Sequence, residues 1–377
     1  MTPETEEDLA EMIRASNAPL SIRGGGTQDL PGSGPSLSTE KLSGIRLYEP
    51  GALTVVAAAG TPLAELEETL AAENQRLAFE PYDARVLLET GGAPTIGGVM
   101  AANRSGPRRI QVGAARDFAL GLRFVDGAGR IVKNGGRVMK NVTGYDLVKL
   151  MCGAFGRLGV LTEVALKVLP VPETEATLML RDLPEDVSIR AMASALGSPF
   201  EVSGAGHCAK IIEGGPVTLL RVEGFETSVR YRIGQLKERL ADFGAEMQVM
   251  EDGASRWVWD GVRDAPLMRD LPGDVWRVSC KPSEATDLMA RSGARGWYFD
   301  WGGGLIWVRM PEGEDLRAQL GRFAGHATLM RAAPETRARL GVLPPEPPGI
   351  ARLSEGLRAR FDPRGIFNPG LAAPEAG

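Results

Sequence analysis

The sequence predicts an α+β protein of two unlike units, one laced with glycine-rich loops and one a layer of antiparallel strands and helices. Two observations predict it. Four clusters of small residues, Gly24–Gly26, Gly91–Gly98, Ser105-Gly106 with Gly113, and Gly153–Gly159, crowd the stretch before Pro172. Beyond Pro172 such clusters thin out, and a strand–helix–strand rhythm runs from 173 to 345, as in a split βαβ arrangement with helices on one face of a sheet. The 377 residues allow two or three domains of roughly 100–200 residues each. The expected boundaries are 1–172, 173–345, and a segment 346–377 that packs back on the first domain.

Each element has a local reason. Thr5, the acids after it, and Leu9, Met12 and Ile13 predict a short capped helix. "PLSIRGGG" is a strand entering a glycine turn. Leu53–Ala59 is a buried strand, and Thr61-Pro62 starts a helix with Leu63, Leu66 and Leu70 on one face. "DFALGLRFVDGAGRIVKNGG" is a hairpin turning at Asp126-Gly127. "NVTGYDLVKLMCGAFGRLGVLTEVALKVLPVP" holds a short helix, a glycine cluster and a strand ending at prolines. Tyr145-Asp146 marks that helix start, with Asp146 near its N-terminus. Further on, "VTLLRVEG", "AEMQVM" and "VWRVSCKP" are strands, and "SVRYRIGQLKERLADFG" and "SEATDLMARSG" are helices. "ARGWYFDWGGGLIWVRM" is a tryptophan-rich hairpin. "LPPEPPGI" is a proline-rich connector, and "LSEGLRARFDPRGIFNPG" a helix followed by a turn.

Composition narrows the function. A net charge of −5 offers no basic field for a nucleic-acid backbone. Cys152, Cys208 and Cys280 form no CxxC pair, which argues against a disulfide framework, a zinc site or an iron–sulfur cluster in this chain. The opening "MTPETEEDLAEMI" is acidic and lacks the features of a signal peptide, and no apolar run of about 18 residues is present. A cytoplasmic protein is expected, with peripheral membrane attachment through a partner left open.

Neither G-x-G-x-x-G nor G-x-x-x-x-G-K-[ST] occurs. One glycine cluster alone would be a turn. Four in one segment call for a shared reason, and an extended ligand with a pyrophosphate supplies one, because bare amides approach phosphate only where side chains do not intervene. Thr27, Thr95 and Ser105 add hydroxyls.

"TIGGVMAANRSGPRR", "GAARDFALGLRFVDGAGRIVKNGGRVMKNVTGYDLVKLMCGAFGRLGVLTEVALKVLP" and the late "FDPRGIFNPG" resemble the FAD-binding domain of the vanillyl-alcohol oxidase or PCMH type. Within that superfamily the chain most resembles the glycolate oxidase FAD-binding subunit, strongly over about residues 15–172. The resemblance implies a two-subdomain PCMH-type FAD-binding domain with a smaller ferredoxin-like antiparallel cap. It places Arg23, Gly24, Gly25, Gly26 and Thr27, with Pro94, Thr95, Ile96, Gly97 and Gly98, on the FAD diphosphate. It places Ser105, Gly106, Gly113, Arg116 and Asp117 along the ribityl and isoalloxazine side. Gly153, Gly156, Gly159, Val160 and Thr162 then lie near the adenosine, and Asn368 belongs to the C-terminal return. Other readings of these residues stand beside this one: Gly156 and Gly159 as packing positions, and Arg116-Asp117 as an ion pair holding a loop.

Superfamily members that tether FAD use a histidine in the first loop or a cysteine in the second. Gln28 and Asp29 follow the first loop here, and the second has no cysteine, so non-covalent FAD is expected. Cys152 reads as a small buried apolar residue. Oxidising a 2-hydroxy acid needs a proton acceptor and cations for the carboxylate. The two histidines, His207 and His326, read as surface or capping residues, and neither belongs to a metal-ligand set. The catalytic residues are therefore unassigned. The resemblance implies partners: a larger FAD-linked oxidase subunit expected to carry the substrate base, an iron–sulfur subunit, and a small 2-hydroxy acid substrate. An autonomous alcohol or sugar-lactone oxidoreductase and a flavin-bearing scaffold remain alternative readings. Five of the six tryptophans fall in "RWVWDGVRD" and "GWYFDWGGGLIWVRM". Their alternate spacing reads as sheet packing, with any exposed remainder a subunit contact.

Overall fold

Two apolar alternations build two sheets. The computed structural model describes residues 1–28, 30, 32–137, 144–209 and 215–371. Asp29, residues 138–143 of the resemblance motif and 211–214 of "IIEGG" lie outside them. Thr5 caps the first helix, Glu6–Ala15, in a capping box with Asp8. β1 (Ser21–Arg23) and β2 (Ser36–Ser38) pair in parallel. β3 (Ile45–Glu49) and β4 (Thr54–Ala58) follow, then a short β5 (Gln75–Arg76), β6 (Ala119–Val125), β7 (Ile131–Gly135), β8 (Val160–Lys167) and β9 (Leu169–Pro170). β3, β4, β8, β6 and β7 form an antiparallel sheet in that order, with β8 at its centre. Phe124 and Leu161 enter a core shared with Leu63, Leu66 and Leu70 of helix Leu63–Ala71. Val125 and Val160 point the other way, into a core with Leu9, Ile13 and Phe367. Asp146 caps helix Leu147–Met151 through Lys149 N.

The second sheet has eight antiparallel strands: β10 (Thr174–Arg181), β11 (Gly204–Cys208), β12 (Val217–Gly224), β13 (Met247–Glu251), β14 (Asp274–Ser279), β15 (Gly296–Asp300), β16 (Leu305–Met310) and β17 (His326–Arg331). Their order is β13-β10-β12-β11-β15-β16-β14-β17. Read along the chain, this is two βαββαβ units side by side, joined where β11 pairs with β15. The α+β class and the ferredoxin-like pattern agree with the sequence reading, and the pattern is present twice. Helices Glu185–Leu196, Glu226–Leu240, Ala285–Arg291 and Leu316–Leu320 cover one face, over Leu178, Leu220, Trp276 and Val308.

The opposite face meets the first half of the chain. There β12 presents Arg221 and Glu223 to Arg76, Glu80 and Arg108. Arg221 Nη1 and Nη2 donate to Glu80 at 3.1 and 3.0 Å. Arg108 Nη1 stands 2.8 Å from Glu80, and its Nη2 donates to Glu223 at 2.7 Å. Arg76 Nη1 adds a bond to Glu223 at 2.8 Å. Burial alone would raise both carboxyls, yet Arg221 and Arg108 hold Glu80 below the usual carboxylate range and Glu223 well below it.

Two sequence readings are corrected here. Trp257 and Trp259 lie on a helix, Asp252–Asp264, so spacing of two sends them to different faces. Trp259 is buried against Gly204, while Trp257 is 77% exposed. His207 is no surface residue: it is buried on β11, with Nδ1 2.9 Å from Thr218 Oγ1, and burial pushes its pKa down to about 4.

Arg221→Ala is expected to cost about 3 kcal/mol in urea unfolding, because it takes the two-pronged partner from buried Glu80 and leaves it Arg108 alone. A loss below about 1 kcal/mol would mean the pair acts like a surface contact. Glu80 and Glu223 sit below their ordinary value, so the unfolded chain binds more protons. Their contribution is complete above about pH 4.5 and is lost as pH falls through the folded values. The share of the urea midpoint that Arg221→Ala removes should therefore be constant above that point and shrink below it.

Candidate functional site

One cleft gathers most of the glycine loops. The turn after β1 supplies Arg23, Gly24, Gly25, Gly26, Thr27 and Gln28. Pro94 and Thr95 come from the turn before helix Ile96–Ala101, Gly97 and Gly98 from its first turn, and Arg104 from the segment just after it. Phe155, Gly156, Gly159, Val160 and Asn368 close the remaining wall.

The first loop lies directly on the second. A Cβ on Gly25 would sit 1.7 Å from Ala93 O, and one on Gly24 would sit 2.3 Å from Thr95 Oγ1. Gly26 has φ +74°, a conformation that costs an L side chain energy, and a Cβ there would meet nothing. Among the described residues, no acceptor engages the N–H of Gly24, Gly25, Gly26 or Thr27. Four successive amides left unused beside a cleft suit an anionic ligand such as a pyrophosphate. Thr95 Oγ1 accepts from Gly98 N at 3.3 Å, and Gln28 Nε2 donates to Gly98 O at 3.0 Å, tying the two loops together. Asn368 joins three segments. Its Oδ1 accepts from Ile22 N at 2.7 Å, its Nδ2 donates to Phe155 O at 2.8 Å, and its N donates to Leu20 O at 3.0 Å.

Other expected site residues lie outside this cleft. Ile96 is fully buried, its N bonded to Thr61 O. Thr162 spends its hydroxyl on Glu6 and does not line the cleft. Ser105 Oγ accepts from Ala115 N at 2.8 Å, and Gly106 sits against Glu80, where a Cβ would be 2.3 Å from its carbonyl oxygen. Arg116 N donates to Asn103 Oδ1 at 2.9 Å and Nη2 to Cys152 O at 3.2 Å. Asp117 accepts from Ala114 N at 2.8 Å, and Lys149, not Arg116, is its ion-pair partner at 3.6 Å. Gly113 packs on Asp117 and Gly153 on Arg116. These residues brace the loops behind the cleft. Gly159 does both jobs: it lines the cleft, and a Cβ would be 2.7 Å from the Phe124 ring.

Arg104 was missed by sequence reasoning. It is 4% exposed, lines the cleft, and lies with its guanidinium 4.8 Å from the Tyr82 ring centroid. Its signal was its place between two flagged stretches, "TIGGV" and "SG". Among the described residues no histidine, cysteine or tyrosine lines the cleft, and buried Cys152 has its thiol pushed up to about 12 by burial. Among the described residues no helix is long and apolar enough to cross a membrane.

Comparison with known proteins agrees with this geometry. Residues 1–135 match a family model described as an FAD binding domain. The glycolate oxidase subunit GlcE of Escherichia coli (strain K12) is 34% identical over 94% of this chain and 93% of its own length. A D-lactate dehydrogenase of Archaeoglobus fulgidus is 32% identical over 45% of this chain and 38% of its own. In structure, an alkyldihydroxyacetonephosphate synthase superposes with a TM-score of 0.69 at 15% identity, covering 98% of this chain and 76% of that one, a likeness of fold alone. With an FAD binding domain at its N-terminal end and a relative similar along nearly its whole length, the chain belongs to the glycolate oxidase GlcE family of FAD-dependent oxidoreductases.

Proposed function

We propose that this chain is the FAD-binding subunit of a complex that oxidises glycolate, or a close 2-hydroxy acid, to the corresponding 2-oxo acid. One observation carries the reading: separated glycine loops whose amides have no acceptor among the described residues meet at one cleft, inside a chain similar to a glycolate oxidase subunit over nearly its full length. Residues 1–172 act as the FAD domain and 173–345 as the cap. Residues 346–377 return to the cleft, where Asn368 serves.

In this reading the amides of Gly24 to Thr27 hold the cofactor's phosphates and the Thr95 hydroxyl meets them from the facing loop, where Gly97 and Gly98, their amides spent on Ala59 O and Thr95 Oγ1, allow close approach. Gly156, Gly159 and Val160 take the adenosine end. Ser105, Gly106, Gly113, Arg116, Asp117 and Gly153 stiffen the wall beside the flavin ring. FAD, when bound, accepts two electrons from a carbon–hydrogen bond and can release them singly. Among the described residues neither histidine nor cysteine lines the cleft, and in this reading FAD is held without a covalent bond. A larger FAD-linked subunit supplies the base for the hydroxyl proton, and electrons leave towards an iron–sulfur subunit. The complex is cytoplasmic or peripheral at the inner membrane through its partners. Exposed Trp257 is a contact for one of them.

Purified protein should be yellow, and acid precipitation should leave the colour in the supernatant; colour that stays in the pellet would contradict non-covalent binding. Gly25→Val is expected to give a colourless protein, because the first loop can no longer rest on Ala93. Under anaerobic conditions glycolate should leave the flavin of the isolated chain oxidised and reduce it once the partner subunits are added. Reduction in the isolated chain would place the base here instead. Trp257→Ala should leave the urea midpoint within about 0.5 kcal/mol of wild type while weakening co-purification of the partners.

A further inference from the structure

Alternation along β14 decides where its arginine goes. Trp276 and Val278 enter the core beneath the helices, so Arg277 faces the first half of the chain, in register with Trp307 and next to Tyr298. Its guanidinium carbon lies 4.9 Å from the Trp301 ring centroid and 5.9 Å from those of Trp307 and Tyr82. Arg104 approaches the same Tyr82 ring at 4.8 Å, and Arg109 lies over Trp301 at 4.7 Å. Trp301 is itself docked on the first half, its Nε1 donating to Gly106 O at 3.1 Å.

This group differs from the ion network in the same seam. Arg108 and Arg221 are matched by Glu80 and Glu223. Among the described residues, Arg104 and Arg277 form no ion pair and no side-chain hydrogen bond, and the Nε of each is buried without an acceptor. Asp300, on the same sheet face, spends an oxygen on Trp301 N at 2.7 Å, and burial pushes it up to about 7. Desolvation, and then repulsion from Arg277, lowers the pKa of Arg109. Aromatic faces soften the loss of water around a cation but do not neutralise it. Asp83 acts on Arg104 and Asp300 on Arg277 only through space, without an ion pair; buried cations with no carboxylate in contact weaken the fold, and an anion bound between them offsets that cost with charge-assisted hydrogen bonds.

We infer that Arg277 and Arg104 form a subsite for a small carboxylate in the seam between the two halves, walled by Tyr82, Trp301 and Trp307. Its identity as the substrate's carboxylate rests on the reading of the chain as a 2-hydroxy-acid oxidoreductase. Arg104 lines both this subsite and the cleft, so an acid gripped here has its other end directed to the cofactor side. A cofactor phosphate is the other anion Arg104 could meet, whereas Arg277 does not line the cleft.

The test is titration of the FAD-loaded protein with oxalate, an unoxidisable small dicarboxylate, read by flavin difference spectrum and by tryptophan fluorescence. Saturable binding is expected, with no response to the neutral analogue oxamide. Arg277→Met should weaken oxalate binding on the order of 30-fold, as loss of a charge-assisted contact does, and Arg277→Lys should recover part of it. FAD retention should be unchanged in Arg277→Met, and its urea midpoint equal to or above wild type, because an unpaired buried cation has gone. Equal oxalate affinity in Arg277→Met and wild type would overturn the subsite. So would a lowered midpoint with no rescue by lysine. Arg104→Met that loses FAD but keeps oxalate affinity would assign Arg104 to the phosphates and overturn its role here. The two readings fail separately: colourless protein that still binds oxalate sinks the flavoenzyme, and yellow protein that ignores oxalate sinks the subsite.

Discussion

The pairing of Glu80 with Arg221 and Arg108 holds the rest in place. Glu80 belongs to the loop that leads to the cleft, and Arg221 to the middle of the eight-stranded sheet. A buried ion pair is weak evidence for net stability, since desolvation offsets much of the attraction. Its strength is directional: once dry, each charge accepts only its partner, so the sheet can dock on the first half in one register. That register also brings Trp301 to Gly106 and Arg277 to the ring that Arg104 already touches.

The same seam therefore holds two kinds of cation. Arg76, Arg108 and Arg221 have resident carboxylates. Arg104 and Arg277 have aromatic faces instead. A fold can keep the second kind because the first fixes the geometry around it. The contrast distinguishes a structural charge from one kept available, and neither kind can be recognised from residue type.

Much of the cleft was legible in the sequence because glycine and threonine in clusters have few structural uses. The loops around Gly25 and Gly97 do meet, and the reason includes close contact of loop with loop, as Ala93 O against Gly25 shows. Ile96 and Thr162 sit beside cleft residues in sequence, but the first helical turn buries Ile96 in the core and Glu6 takes the Thr162 hydroxyl. Arg104 and Arg277 were hidden among 43 basic residues, and only the pairing of β14 with β16 sets Arg277 against Trp307. A strand–helix–strand rhythm was visible, yet its doubling into two βαββαβ units was not, and their joining depends on a β11–β15 pairing whose partners are about ninety residues apart. Trp257 and Trp259 show the limit of spacing alone: separation by two fits a strand face, and a helix splits it.

Asn368 ties Ile22, Leu20 and Phe155 into one wall, and it follows every other cleft residue in the chain. Chain growth thus delivers the last strut of the cleft after every strand of both sheets has been made, and a chain stopped short of that asparagine would lack all three of its ties.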